Sequence, residues 1–399
     1  MAGLTDWDVE TSTMETGGGE KPAGRRSFTL GEQVRAPLQR SRSNTHSASF
    51  LTDFSRYGST VKTAENTNKI MLFYCPEMEH IAKECVALAE GEIVLGNVEF
   101  KEFPDGWPNL FIKNQGLIKQ NACCFLASFH SPEVVFTQLS AIYALAKYRA
   151  REYKVIVPYF ATGTMDRISE PGEVATAMTM ARLLSAIPPC ATGPATLQII
   201  DIHALQEKFY FSDQVLIQLK SAIYLLLEKI NMMMEEDRDD SIAIVFPDNG
   251  AYKRFKSKFQ KFSQVICEKK RVGNDRIVHI VEGSARGRHC IIIDDLVQTG
   301  GTILKCAHCC LAAGATKVSA YCTHAVFPNE SYKKFFPDPN TNSSILHKFW
   351  ITNTVPTVAG YLRDKAPFEV LSMAPVLCHS LLDDRLNYQH TGISIEMDS

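Results

Sequence analysis

Two neighbouring carboxylates, Asp294 and Asp295, close the apolar run Cys290-Ile-Ile-Ile293. The turn Gln298-Thr299-Gly300-Gly301-Thr302 follows, and then a helical pattern runs to Gly314. A buried strand placed in this way delivers both acids to the edge of a sheet. The glycines let backbone N–H groups approach an anion, and a helix start adds a favourable dipole. The adjacent acids can accept hydrogen bonds from sugar hydroxyls or hold a hard cation. Capture of a phosphorylated sugar fits that set. An apolar strand ending in Asp before a glycine turn is also ordinary scaffolding, so the rest of the chain must decide.

Three further segments could join it. Ile244-Val-Phe-Pro247-Asp248-Asn249-Gly250-Ala251 reads as strand, turn and helix start. Pro-Asp-x-Gly is a good turn in any protein, but beside a phosphate-binding turn Asp248, Asn249 and Gly250 suit a pyrophosphate, with a metal on Asp248. Glu268-Lys269-Lys270-Arg271-Val272-Gly273-Asn274-Asp275-Arg276 is a basic loop between two strands. Such runs are commonly solvated, yet phosphoryl-type transfer needs cations that close over developing charge, and Lys269 and Arg271 are placed for a cationic lid. Asp201 and His203 sit two residues apart at the end of Leu197-Gln-Ile-Ile200. That spacing puts both on one side of a strand, where His203 becomes a metal or phosphate contact. Phe103-Pro-Asp105-Gly-Trp107-Pro-Asn-Leu-Phe111 reads only as a tight turn with an aromatic anchor.

The elements that must position these groups alternate in type. Short apolar or β-branched runs at 70–74, 122–128, 154–160, 197–202, 241–246, 264–267, 277–281, 290–294, 318–323 and 348–351 read as buried strands. Helical spacing is read over Glu173–Ile187, with Val174, Ala177, Met178, Ala181 and Leu184 on one side, and over Leu216–Met233 and Lys305–Ala313. Alternation predicts an α/β fold of two similar halves, each a mostly parallel sheet flanked by helices. The weak break at Ser212–Gln214 divides them into 66–213 and 214–380. A disordered tail precedes them over 1–65, and a C-terminal tail follows over 381–399.

Composition narrows the classes. The chain has 399 residues, 45% hydrophobic and 22% charged, with a formal net charge of −2. That balance gives no footprint for nucleic acid or an anionic membrane. No uncharged apolar run reaches the about 18 residues of a membrane span. The twelve cysteines, including Cys306-Ala-His308-Cys309-Cys310, read as reduced core thiols rather than a metal site. The first 20 residues are acidic and 21–51 basic and Ser-rich. The basic stretch could belong to an organelle import peptide, against which Asp6, Asp8, Glu10 and Glu15 argue, so a cytoplasmic protein with a regulatory or disordered tail is expected, with organellar import the alternative.

Taken together, the segments resemble ribose-phosphate pyrophosphokinases (phosphoribosyl-pyrophosphate synthetases), in particular the plant-type class II enzymes. The resemblance covers about 71–375 and is carried by 103–112, 201–211, 294–302, Phe349-Trp-Ile-Thr352 and Pro367-Phe-Glu-Val-Leu-Ser372. It implies two phosphoribosyltransferase-type domains. It also implies transfer of a pyrophosphoryl group from ATP to ribose 5-phosphate, with Mg²⁺, in a homo-oligomer whose ATP sites lie between subunits. By resemblance, Asp294, Asp295, Gln298, Thr299, Gly300, Gly301 and Thr302 bind ribose 5-phosphate, and Asp248, Asn249 and Gly250 form the pyrophosphate loop. Lys269 and Arg271 are catalytic, and Phe103, Asp105, Asp166, Arg167 and His203 bind ATP, with His203 and Asp248 at the metal. Gly163-Thr-Met-Asp166-Arg167 lacks the Arg-Gln that class I enzymes carry before the Asp, and Trp107 stands where they have Glu. The alternatives are a phosphoribosyltransferase, which shares only the sugar-phosphate loop, and a non-catalytic subunit of a synthetase complex.

Overall fold

The computed structural model describes residues 69–119, 121–237, 241–272 and 275–382, and at 236–237, 270–272 and 275–277 the backbone alone. The expected N-terminal tail and residues 383–399 lie outside the described residues.

The first sheet grows from runs such as Ile70-Met-Leu-Phe-Tyr74 and Ala122-Cys-Cys-Phe-Leu126, which are apolar on both faces and therefore need cover on both. β1 (Ile70–Tyr74) is followed by α1 (Glu79–Leu88) and β2 (Ile93–Leu95), then by an antiparallel ribbon, β3 (Val98–Glu102) with β4 (Pro108–Ile112). The short α2 (Gln115–Ile118) leads to β5 (Ala122–Leu126), α3 (Pro132–Lys147), β6 (Glu152–Val157), α4 (Thr176–Ser185), β7 (Ala195–Ile200) and β8 (Val215–Lys220). Strand order is β2-β1-β5-β6-β7-β8 and every pairing is parallel.

The second sheet contains β9 (Ile242–Phe246), β10 (Ser263–Val272), β11 (Asp275–Glu282), β12 (His289–Val297), β13 (Lys317–Ala325), β14 (Phe349–Thr352) and β15 (Phe368–Leu371). Its order is β11-β10-β9-β12-β13-β14-β15, and only β10–β11 is antiparallel. The helices are α5 (Ile223–Asp237), α6 (Asn249–Phe255), α7 (Gly301–Ala312), α8 (Pro356–Leu362) and α9 (Ala374–Leu382). β12 shows the two-residue period directly. Cys290 and Ile292 pack into the core cluster on one face, Ile291 and Ile293 into the cluster on the other.

Several expectations are corrected. The segment 216–233, read as one helix, is split: 215–220 pairs with β7 as an edge strand and the helix starts at Ile223. Its residues are apolar at both periods, so neighbours rather than spacing decide. The chain therefore changes sheet after Lys220, not at Ser212–Gln214. It also returns: α9 packs against α1, its Leu377, Leu381 and Leu382 join the first core, and Lys154 Nζ donates to Ser380 O at 3.0 Å. Leu381 and Leu382 are thus buried rather than tail. In the expected helix 173–187, Val174 is 65% exposed because the helix starts only at Thr176. The buried stripe is Ala177, Met180, Ala181 and Leu184, and Met178 faces out. The helix expected from Lys305 begins earlier, at Gly301.

Candidate active site

β12 is hydrogen-bonded between β9 and β13, so its C-terminal end opens at the middle of the second sheet. Successive strand residues point to opposite sides, and Asp294 and Asp295 meet different surroundings. Asp295 is buried, and its Oδ2 accepts from His203 Nδ1 at 2.8 Å and from Arg254 Nη1 at 3.0 Å. Burial pushes this carboxyl up, but the His203 hydrogen bond and the Arg254 charge outweigh it and hold the group below the ordinary carboxylate range. Asp294 has the reverse balance. Burial, then the Asp295 charge, raise it well above that range, and its Oδ1 accepts the Asp295 N–H at 3.0 Å. The two acids of the doublet are therefore pushed in opposite directions, Asp295 down by its partners and Asp294 up by burial.

The turn into α7 follows. Gly300 has φ +74°, and a Cβ there would lie 2.6 Å from the Phe335 ring, so both backbone and space require glycine. No side chain caps α7. The first N–H groups of a helix have no partners within it, so this end presents donors and a positive dipole to the cleft. Gln298 spans to the other half, its Nε2 3.4 Å from Thr164 Oγ1.

The start of α6 differs. Asp248 is its N-cap, and its Oδ1 accepts from the N–H groups of Gly250 and Ala251, both at 3.1 Å. Its Oδ2 accepts from Lys269 Nζ at 3.1 Å. Donors expected to cradle a pyrophosphate therefore already hold a carboxylate, and the expected lid lysine rests on it. The Arg271 backbone pairs with Arg276, and its side chain lies outside the described residues.

From the first sheet comes His203, whose ring reaches Asp295 and whose pKa is raised chiefly by that hydrogen bond. Asp201 does not accompany it. The strand ends at Ile200, Asp201 takes φ +39°, and its Oδ2 accepts instead from Ala222 N at 2.9 Å and Thr323 Oγ1 at 2.7 Å. The same-side expectation fails because the chain turns one residue too early. Asp166 accepts from Gln206 Nε2 at 3.4 Å, while the 82% exposed Arg167 lies 4.0 Å from it. Phe103 and Asp105 lie in the β3–β4 turn, outside the cleft, where Asp105 Oδ1 accepts the Trp107 N–H at 3.3 Å.

A cleft of about 870 Å³ brings together Asp248, Gly250, Lys269, Asp294, Asp295, Gln298–Thr302 and His203. Arg254, Lys253 and Thr164 line it as well and were not singled out in the sequence. Arg254 donates to His203 O at 3.1 Å and to Ile202 O besides Asp295, so it clasps the end of the first sheet to β12. A basic pair in the last turn of a short helix is common, so no signal marked it. Among the described residues no group of three or more His, Cys, Asp or Glu side chains is arranged to hold a metal.

Family models match twice: the N-terminal domain of ribose phosphate pyrophosphokinase over residues 70–187, and the phosphoribosyl transferase domain over residues 214–340. The chain is 47% identical to ribose-phosphate pyrophosphokinase 3, chloroplastic, of Oryza sativa subsp. japonica, over 78% of this chain and 76% of the relative. It is 43% identical to ribose-phosphate pyrophosphokinase 4 of Arabidopsis thaliana, over 78% of this chain and 92% of the relative. The structure of phosphoribosylpyrophosphate synthetase from Mycobacterium smegmatis shares its fold, with a TM-score of 0.63 at 22% identity, over 78% of this chain and 97% of that one.

Proposed function

We propose a division of labour in the cleft on the premise that the chain belongs to the ribose-phosphate pyrophosphokinase family and is an enzyme of that kind. The reaction moves the β,γ-pyrophosphoryl group of ATP to the anomeric hydroxyl of ribose 5-phosphate and releases AMP. The 5-phosphate sits on the backbone N–H groups of Thr299–Thr302 at the start of α7, with Gln298 beside it. The sugar hydroxyls face Asp294 and Asp295. ATP lies towards the first sheet, against His203, Asp166 and Arg167. Its pyrophosphoryl end points to Asp248, Asn249 and Gly250.

The chain's own contribution is positioning and charge. Arg254 and His203 fix Asp295, and that fixes the face on which the sugar rests. Lys269 leaves Asp248 and, with Arg271, closes over the group in flight. Asp248 and His203 would hold a magnesium ion, which would supply charge neutralisation for the polyphosphate. Both residues line the cleft.

Phe103 and Asp105 complete the adenine pocket of a second copy. Their exposed hairpin, with Phe103 50% and Trp107 60% exposed and the Trp107 ring edge-on to Phe136 at 5.5 Å, supports that reading. Among the described residues no helix is long and apolar enough to cross a membrane.

The observation that carries the reading is an uncapped helix start beside the Asp294–Asp295 doublet, in one cleft with Lys269. The test is incubation of the purified chain with ATP, ribose 5-phosphate and magnesium, followed by mass spectrometry. Formation of AMP and phosphoribosyl pyrophosphate in equal amounts is expected. A chain that makes neither product alone but activates another synthetase would be a regulatory subunit.

A further inference from the structure

Behind the phosphate-binding end of α7, four thiols meet in the core. Cys306 and Cys310 lie one turn apart on α7, Cys267 comes from β10 and Cys290 from β12, and each is 0% exposed. All are free thiols. Cys306 Sγ donates to Cys267 Sγ at 3.6 Å. Cys310 has side-chain contacts with Cys267, Cys290 and Cys306. Buried cysteine is ordinarily a small hydrophobe. What separates the 267–306 pair is the machinery each sulfur is attached to. Cys267 precedes Lys269 by two residues on β10, and Cys306 follows Gly301 by five on α7.

We propose that Cys267 and Cys306 are an oxidisable dithiol: a hydroperoxide closes them into a disulfide that ties the strand bearing Lys269 to the helix bearing the phosphate loop, and turnover falls. The proposal rests on the assigned role of Lys269, which must leave Asp248 and travel. A covalent tie two residues away restrains that movement. It leaves the start of α7, and with it the sugar-phosphate site, in place.

The chemistry balances in two steps. The Cys267 thiolate attacks the O–O bond of hydrogen peroxide, giving a sulfenic acid and, after proton uptake, water. Cys306 sulfur then displaces the sulfenic hydroxyl as a second water. Overall, two thiols and one peroxide give one disulfide and two waters, with two electrons passing from sulfur to oxygen. The sulfurs close from 3.6 Å to about 2.05 Å, within reach of side-chain rotation. The S–H bonds donated by Cys306 and Cys310 favour the thiolate at Cys267. Burial of both sulfurs favours a small oxidant over glutathione disulfide. Cys309, on the same helix but partly exposed, is the internal control.

The experiment treats the full chain with hydrogen peroxide, blocks remaining thiols under denaturing conditions, and maps peptides while turnover is followed. A 267–306 cross-link, a several-fold drop in turnover, unchanged ribose 5-phosphate affinity and recovery with dithiothreitol are expected. Cys306→Ala and Cys267→Ala should each resist peroxide, and Cys309→Ala should remain sensitive. Two single variants keep the test alive if one fails to fold. The peptide map reads the bond independently of turnover, so a cross-link without a loss of rate refutes only the tether. Turnover lost with both thiols still free, or a bond from either cysteine to Cys309 or Cys310 instead, overturns the assignment.

Discussion

Two helices begin in the same cleft and treat their N-terminal donors in opposite ways. α6 spends them on its own Asp248, which is also bound by Lys269. α7 starts at a left-handed glycine with no side-chain cap. A capped end is satisfied without ligand, and an uncapped end is satisfied by one. The difference teaches that glycine-rich strand-to-helix turns with acids nearby are not interchangeable. On the proposed reading, α7 takes its anion as it stands. α6 holds a carboxylate and an ammonium that must part before it can serve one.

The largest effect expected concerns the α6 side. Lys269→Ala should lower turnover about a hundred- to a thousandfold, as when one preorganised charge is removed from a transition state. Ribose 5-phosphate affinity, read by calorimetry, should barely move. Near-normal turnover would break the comparison, since Asp248 would then have no partner that matters.

Next in size is Arg254→Met. It leaves the buried Asp295 carboxylate with only His203, and breaking such a pair costs about 3 kcal/mol. Denaturant unfolding should report that loss, and turnover should fall with it. Gly300→Ala comes next. A left-handed backbone at a non-glycine residue, worsened by the Phe335 ring, costs about 1–3 kcal/mol. Here ribose 5-phosphate affinity should weaken more than ATP affinity.

The pH dependence distinguishes the two acids. The raised pKa of His203 gives stability that is full below its unfolded value near 6.5 and is lost as pH rises through the folded one. The lowered pKa of Asp295 gives stability that is present above its unfolded value and is lost as pH falls through the folded one. Asp294, raised, has the opposite sign to Asp295: the folded state holds a proton the unfolded chain would release, so its contribution worsens as pH rises above the unfolded value. A magnesium–substrate complex that needs this carboxylate ionised should expel the proton. Calorimetry in buffers of different ionisation enthalpy should therefore show proton release on binding, and affinity should improve with rising pH. Absence of release would mean that Asp294 is already charged.

The smallest effect is the sharpest for α6. Asp248→Asn retains a good cap and should change stability by only a few tenths of a kcal/mol, whereas Asp248→Ala should cost about 1 kcal/mol. Equal losses in thermal unfolding would show that the Lys269 contact, not the cap, is what Asp248 supplies.

The strand–turn–helix unit of β12 and α7 is legible because its signal is local: an apolar run, two acids and a glycine pair lie side by side, and folding cannot separate them. The α/β class followed from the alternation of periods. What resisted reading is non-local. Arg254 acts on Asp295 through the approach of two elements 41 positions apart. Asp201 was misjudged because a positive φ after Ile200 turns it to Thr323, a partner supplied by the other sheet. The 215–233 stretch is apolar at either period, and only the open edge beside β7 makes its first part a strand. α9 closes the first core from the far end of the chain, which no local pattern announces.

A crystal structure of the chain with ribose 5-phosphate tests the central contrast most directly. The account predicts the phosphate on the backbone N–H groups of Thr299–Thr302, the sugar against Asp294, and Asp248 still capping α6. A phosphate seated on Gly250 and Ala251, with Asp248 swung aside and the start of α7 empty, would contradict it.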